Sequence, residues 1–465
     1  MNIAIGNVIV VKEPTREVRQ YCLNNLVVDN PDYISRERMG KWTGNVPKKL
    51  HLYEERDGNL ILPYGCKNDI QTIAQNSAVV IKWLPYVDKK ELVADYYSNI
   101  QLYDYQQQAV KRMCKEKNGI VVMPCGAGKT QTALECVSRL GLKTLWLTHT
   151  QDLLSQSMER AKNCFGCGND MFGTITGGKV NISKGITFAT VQTMCKVDLE
   201  KYRNEWAVVV VDECQHCCGS PTRLSQFYRV INTLYAPYKF GLTATPFRSD
   251  GLDKSMYALL GDIILQVDEN VVADRKCPVI VERVETKFDP DFDKVLNGDG
   301  TINYARLTAE LTEDKSRLDV VMSVINSKCC KYSMVLANRI NYLQKMQEAY
   351  KGKSICISAL GTSAKAKAER KEALAKLNSG EIDCIFATYQ LAAEGLDCPN
   401  LRYVVFSTPE KNARTVIQAV GRVARKADGK DHGTVIDFID DFGMYKGWAK
   451  KRVGCYKKAG INVYE

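Results

Sequence analysis

The run VVMPCGAGKTQTALECVSRL, residues 121–140, constrains the fold of this chain more than any other segment. An apolar run ends in a Gly-rich turn, and a helix-forming stretch begins at once. A strand that feeds such a turn and then a helix belongs to a parallel α/β sheet, because the helix must pack back onto the sheet it leaves. Gly126 and Gly128, with Ala127 between them, let backbone N–H groups point into one concave nest, and the helix N-terminus adds partial positive charge. A phosphate chain fits such a nest. Lys129 is placed to reach the β- and γ-phosphates, and Thr130 to set its hydroxyl on Mg²⁺. The strict pattern has glycine where Met123 stands, so this is a variant loop.

The rest of the chain repeats the same texture. GIVVMP, TLWLTHT, ITFAT, AVVVVDE and KFGLTATP are buried-strand runs alternating with helical stretches, and SMVLAN, KSICIS, DCIFAT, RYVVFS and GTVIDF form a second set. Two α/β domains in tandem are expected, split near residue 280. Before them, LHLYEERDGNLILPYG alternates apolar and polar residues around Asp57-Gly58, a hairpin signal, so residues 1–95 are expected to form a small strand-rich module that could bind DNA. The expected domains are 1–95, 96–280, 281–442 and a basic tail, 443–465. Lys41, Trp42, Lys48 and Lys49 form either an exposed basic and aromatic patch or a solvated loop with a buried Trp. In the tail, Lys450, Lys451, Arg452, Lys457 and Lys458, interleaved with Tyr456, either grip a nucleic-acid backbone or lie on a solvated helix.

Charge is basic but moderately so: 64 Lys and Arg against 53 acids, a formal +11, compatible with a polyanionic partner. The 18 cysteines are scattered through apolar runs and read as core residues of a reducing compartment. Two clusters merit a metal test, Cys164 with Cys167, and Cys214, His216, Cys217 and Cys218. With no long apolar stretch, a soluble intracellular protein is expected.

AVVVVDECQH supplies the second half of a phosphate-transfer site. An apolar strand delivers Asp212 to the carboxyl edge of the sheet, where it would hold Mg²⁺ together with Thr130, and Glu213 would orient or deprotonate the attacking water. Farther along, Gln418, Arg422 and Arg425 in QAVGRVARK stand at i, i+4 and i+7, so on a helix they share one face aimed at an anion.

Taken in order, these segments carry a family resemblance. LYDYQQQAV resembles the Q motif of superfamily 2 helicases, PCGAGKT motif I, LTHTQDLLSQ motif Ia, FATVQTM motif Ic, VDECQH motif II in DExH form, and GLTATP motif III. FATYQLAAEGLDCPNL resembles motif V and QAVGRVARK motif VI. The match spans about Tyr103 to Asp440. It implies two tandem RecA-like domains after the N-terminal module, with ATP and Mg²⁺ in the cleft between them. By resemblance, Gln106 would bond the adenine edge with Tyr103 packing on it, Gly395 and Asp397 would sit at the nucleotide, and Arg422 and Arg425 would act as arginine fingers beside Gln418. Motif II departs from the pattern: Gln215 stands where His is commoner, and His216 follows it.

The resemblance also implies a nucleic-acid track held mostly through phosphates. Its candidate contacts are Thr148, His149, Gln156, Thr176, Gly177, Lys179, Thr190, Gln192 and Thr388. The motif spellings are similar to XPB-like DNA translocases and UvsW-like phage branch-migration helicases, and Arg248 and Asp250 weakly echo the Arg-Glu-Asp element of the XPB type. A DNA helicase or translocase moving 3′ to 5′ on single-stranded, forked or branched DNA is therefore expected, in a bacterial or phage-infected cytoplasm. An RNA helicase, and an ATP-gated DNA-binding subunit of a restriction or repair complex, stay open as alternatives.

Overall fold

The computed structural model describes residues 1–84, 94–218, 226–248, 250–329, 331–357, 364–393, 398–459 and 461–464. The chain divides into two compact units, Met1–Asp268 and Glu269–Glu465.

In the first unit, a five-stranded sheet is followed in sequence by an eight-stranded one. The smaller sheet runs Glu54–Arg56, Asn59–Pro63, Val8–Lys12, Asn2–Ile5, Ile81–Trp83. Its hairpin turns at Asp57-Gly58, with both residues at positive φ (51° and 74°) and Arg56 paired with Asn59, the conformation that such a two-residue turn requires. Three helices accompany these strands, Arg16–Asn25, Pro31–Arg38 and Lys67–Asn76, so the module is more mixed than its sequence texture suggested. It is docked on the larger sheet by specific polar contacts. Lys239 Nζ donates to Asn7 Oδ1 at 2.5 Å, and Tyr228 O–H to the Leu52 carbonyl at 3.2 Å.

The larger sheet runs Lys179–Asn181, Phe172–Thr176, Ile186–Thr190, Thr144–Thr148, Val208–Asp212, Tyr238–Thr243, Asn118–Val122, Ile263–Gln266. All pairings are parallel except that of Lys179–Asn181. Its central strands are buried along their whole length, as a sheet covered on both faces demands.

The second unit is built on a fully parallel seven-stranded sheet: Ser354–Ile357, Cys384–Thr388, Ser333–Ala337, Tyr403–Phe406, Gly433–Asp440, Val279–Thr286, Asn462–Tyr464. The fold is thus α/β, with two parallel-sheet domains after a strand-containing N-terminal region.

The C-terminal segment differs from a solvated tail. Gly443–Lys458 is a helix and Asn462–Tyr464 adds an edge strand to the sheet. Arg452 and Tyr456, expected either to grip a nucleic-acid backbone or to lie on a solvated helix, are buried at 2% and 1% exposure. Arg452 Nε donates to both oxygens of Asp437 at 2.9 and 3.0 Å, and Tyr456 O–H donates to Asp437 Oδ2 at 3.0 Å. A buried carboxylate on the strand takes these donors inward. In the N-terminal module, Trp42 is 77% exposed rather than buried. Of the lysines around it, Lys49 is paired with Asp29 at 2.6 Å. Among the described residues no helix is long and apolar enough to cross a membrane.

Candidate nucleotide and nucleic-acid sites

The phosphate nest forms where the strand Asn118–Val122 gives way to the helix Lys129–Leu140. Gly126 and Gly128 hold φ of 82° and 80°, the left-handed region that lets successive N–H groups turn inward. Gly128 is needed twice over, since a Cβ there would also lie 2.3 Å from Gln106 Nε2. At Gly126 a Cβ would meet nothing within 4 Å, so the mouth of the loop is open.

Gln106 is 2% exposed and braces this loop. Its Nε2 donates to the Ala127 carbonyl at 3.0 Å, and its Oε1 accepts from the Tyr103 N–H at 3.0 Å, closing the N-terminus of the helix Asp104–Glu116. Tyr105 O–H reaches the same Ala127 carbonyl at 2.9 Å. Here the amide of Gln106 works on the loop, a contact that no spacing in the sequence could reveal. Tyr103, half exposed, stacks on Tyr105 with ring centroids 6.1 Å apart.

Asp212 closes the strand two places from the P-loop strand, at the same carboxyl edge. Burial pushes its carboxyl up to about 6, the charge of Glu213 adds to this, and Lys129 pulls the other way. The charge of Arg160 pulls the same way as that of Lys129. A buried carboxylate beside a second one is chemically suited to a divalent cation, and the open nest beside Lys129 to a phosphate chain. Thr130 and Asp212 would hold such a cation, and Gly126, Ala127, Gly128 and Lys129 the phosphates.

Glu213 stands at φ 52°, unusual for a residue with a side chain. Gln215 Nε2 donates to Glu213 Oε2 at 2.6 Å, while Gln215 Oε1 is buried without a partner among the described residues. Arg248 Nη1 donates to the Gln215 carbonyl at 2.8 Å. The same guanidinium grips Asp250 through Nε at 2.9 Å and Nη2 at 2.5 Å. The sequence pointed to Arg248 and Asp250 but not to Gln215 as their neighbour. Ser249 between them lies outside the described residues.

The other half of this edge carries the nucleic-acid candidates. Thr176, Thr190 and Thr148 are each the last residue of adjacent or near-adjacent parallel strands, and Thr190 pairs in register with Thr148. Thr176 Oγ1 donates to Gln151 Oε1 at 2.7 Å, Thr148 Oγ1 donates to the Thr150 carbonyl at 3.0 Å, and Thr190 and Thr193 hydroxyls lie 2.9 Å apart. Gly177 and Gly178, at φ 56° and 79°, make the turn that presents exposed Lys179. Gln192 Nε2 donates to the His149 carbonyl at 2.8 Å, and the His149 ring stacks on His216 with centroids 3.9 Å apart. Gln156 lies half-buried on the helix Gln151–Cys164.

Cys214 and Cys217 are fully buried in the hydrophobic core of the first unit, and His216 turns away to its partner ring. Among the described residues no group of three or more His, Cys, Asp or Glu is arranged to hold a metal.

In the second unit Thr388 ends the strand Cys384–Thr388, and its hydroxyl is buried with no partner among the described residues. Gly395 and Asp397 lie outside the described residues. Gln418 and Arg422 share the helix Ala413–Val423, but Arg425 does not continue it. The helix is stopped because Lys430 Nζ caps the Val423 and Arg425 carbonyls at 2.7 and 2.8 Å, and Arg425 bridges to Lys276 instead. The single helical face expected for all three residues therefore holds for two.

What the parallel sheets, the glycine nest and the carboxylate pair define is a P-loop nucleotide hydrolase. Residues 99–248 match the family described as the res subunit of type III restriction enzymes, and residues 316–427 match the helicase conserved C-terminal domain. Over 361 residues the chain is 30% identical to the DNA 3′-5′ translocase XPB2 of Sulfurisphaera tokodaii, covering 71% of this chain and 80% of that one. It is 24% identical to the helicase D10 of Escherichia phage T5, covering 83% and 86%. In fold it is similar to an HsdR subunit fragment of a type I restriction enzyme from Vibrio vulnificus, with TM-score 0.56 and 16% identity over 97% of this chain and 83% of that one. The chain belongs to the superfamily 2 helicases, in the group related to the XPB translocases, and is an ATP-hydrolysing enzyme. Helicases of this kind use ATP with Mg²⁺.

Proposed function

We propose that the chain is an ATP-driven DNA translocase that moves 3′ to 5′ and remodels forked or branched DNA. The observation that carries this reading is the layout of one sheet edge. The P-loop, Asp212 and Glu213 occupy one half, and Thr148, Thr176 and Thr190 end the strands of the other half. With strands about 4.8 Å apart, the two halves lie close enough for movement at one to be felt at the other. The XPB2 relative, named a DNA 3′-5′ translocase, supports DNA as the track and the polarity.

In this reading the bound Mg²⁺–ATP supplies a phosphoryl group made electrophilic by the cation. The chain's own residues do the rest. Backbone N–H groups of Gly126 to Gly128 and the Lys129 amine would hold the phosphates, Thr130 and Asp212 would hold the cation, and Glu213 would take the proton of the attacking water. Tyr103 and Gln106 bound the base side, with Gly395 and Asp397 assigned to nucleotide contact. Gln418, Arg422 and Arg425 of the second unit are assigned to the charge that spreads over the phosphoryl oxygens. Thr148, His149, Gln156, Thr176, Gly177, Lys179, Thr190, Gln192 and Thr388 are assigned to the phosphate backbone of the track, contacts that position without reading sequence.

A second reading, a DNA-translocating subunit of a restriction complex, is favoured by the match of residues 99–248 to a restriction res subunit. One experiment separates the readings. ATP turnover and strand displacement are measured on single-stranded, duplex, forked and four-way DNA, with RNA controls. Stimulation by DNA with displacement of forked strands is expected. Stimulation by RNA alone would reject DNA as the track, and stimulation without any displacement or branch migration would favour the subunit reading.

A further inference from the structure

We propose that Gln215 is a positioning residue that holds Glu213 back until nucleic acid binds, and that the His216–His149 stack is the lever that releases it. The inference rests on the function proposed above and concerns how the two halves of that sheet edge communicate. Glu213, assigned as the base, has one carboxylate oxygen engaged by Gln215 Nε2 at 2.6 Å. A carboxylate that accepts a charge-assisted hydrogen bond is fixed in direction, with one oxygen turned to its donor rather than to a water. Gln215 itself is 1% exposed and only partly satisfied, because its Oε1 finds no donor among the described residues. An amide in that condition gains a hydrogen bond in any position that gives Oε1 a donor.

The backbone beneath it is held in place. Arg248 fixes the Gln215 carbonyl and is itself fixed by Asp250, so any rearrangement at Gln215 falls on its side chain and must break the bond to Glu213. The next residue, His216, provides the trigger. Its ring lies on His149 at 3.9 Å across the seam between the strands Thr144–Thr148 and Val208–Asp212. His149 in turn accepts from Gln192 at its carbonyl. Thr148, His149 and Gln192 are assigned to the track, so displacement there is passed to a residue adjacent to Gln215. The order of Gln and His in this motif II, which departs from the usual one, thereby acquires separate roles: the first restrains and the second senses.

The test measures phosphate release by the full chain with no nucleic acid, then with a single-stranded DNA oligonucleotide and an RNA of the same sequence. Gln215→Ala should raise the basal rate about tenfold, the worth of a hydrogen bond to a charged group, bring the stimulated-to-basal ratio close to one, and leave KM for ATP within about twofold. His216→Ala should keep the basal rate and lose most of the stimulation, whereas His216→Phe, which still offers a ring, should retain it. Thermal melting of each variant separates misfolding from uncoupling. If the wild-type chain is stimulated but Gln215→Ala leaves the basal rate unchanged or lowers it, the restraint is refuted alone. Full stimulation of His216→Ala refutes the lever. A wild-type chain stimulated by no nucleic acid overturns the proposed function and this inference with it.

Discussion

Asp212 in the first α/β sheet and Asp437 and Asp440 in the second are all nearly inaccessible to solvent, yet Asp437 and Asp440 each have an arginine paired directly with them. Asp440 is held by Arg317, whose Nε and Nη2 both reach its carboxylate while Nη1 bonds the Tyr342 hydroxyl at 2.9 Å and Nη2 the Ser407 carbonyl at 2.8 Å. Asp437 is held by Arg452 and Tyr456. Asp212 has no such arginine among the described residues, and burial with Glu213 beside it drives its carboxyl up to about 6. A buried acid with its counter-ion in place is structure. One with no direct ion pair among the described residues, next to an open glycine nest, fits the proposed function, in which its cation would arrive with the substrate.

The largest effects should come from the half that waits. Lys129→Ala removes the amine that the proposed function assigns to the β- and γ-phosphates, and a loss of about 10³ or more in ATP turnover is expected, with the melting temperature nearly unchanged. Asp212→Asn should act likewise. Full activity of Lys129→Ala would break the comparison at its root.

In the second sheet the same kind of change should act on stability instead. Arg317→Met leaves Asp440 buried with the Thr286 hydroxyl, at 2.6 Å, as its one remaining side-chain donor among the described residues, and should cost about 3–5 kcal/mol by urea unfolding. Adding Asp440→Leu should recover most of that loss, because two apolar groups then replace a pair. If Arg317→Met unfolds no earlier than the wild type, the pair is not structural in the sense argued.

Arg425 tests the boundary between the two kinds of charge. It lies in the second unit but outside the buried pairs, in a bridge to Lys276 just past its helix. Arg425→Ala should lower kcat by about 10² with nucleotide affinity largely kept, as for other transition-state donors. Collapse of affinity with the rate preserved would place it among ground-state contacts.

How far these features could be read beforehand depended on whether they are local. The parallel sheets were legible because strands such as Val208–Asp212 are buried on both faces and read as unbroken apolar runs. The glycine nest and Asp212-Glu213 were legible because their chemistry sits in contiguous residues. Pairings over long separations were not: Gln106 to Ala127, Arg317 to Asp440 and His149 to His216 leave no periodic trace. Arg425 was misplaced for a related reason, since the amine that ends its helix, Lys430, comes five residues later and no helix propensity announces it.

Lys239 has the smallest expected effect, because it is a buried charge of a third kind, with no carboxylate paired to it among the described residues. It sits between the N-terminal module and the first α/β sheet, bonded to Asn7 Oδ1 and, at 3.1 Å, to the Ile231 carbonyl. Its amine also lies 5.5 Å from the ring of Tyr64, as does that of Lys67. Burial lowers its pKa from 10.5 to about 7. The folded chain therefore releases this proton above about pH 7, while the unfolded chain keeps it to about pH 10.4, so between these values unfolding takes up a proton. Stability contributed at this position should rise with pH across that window, by at most about 1.4 kcal/mol per pH unit, and be flat below it. Buried cysteines such as Cys214 and Cys217 are pushed upward by burial and work in the opposite sense once free thiols ionise. The measurement is therefore the difference in urea stability between the wild type and Lys239→Met from pH 7 to 9, in which those groups cancel. A difference that grows with pH in favour of the wild type is expected. A constant difference would mean that Lys239 stays protonated in the fold, its two carbonyl oxygens and the Tyr64 ring being sufficient to hold a charge that no acid neutralises.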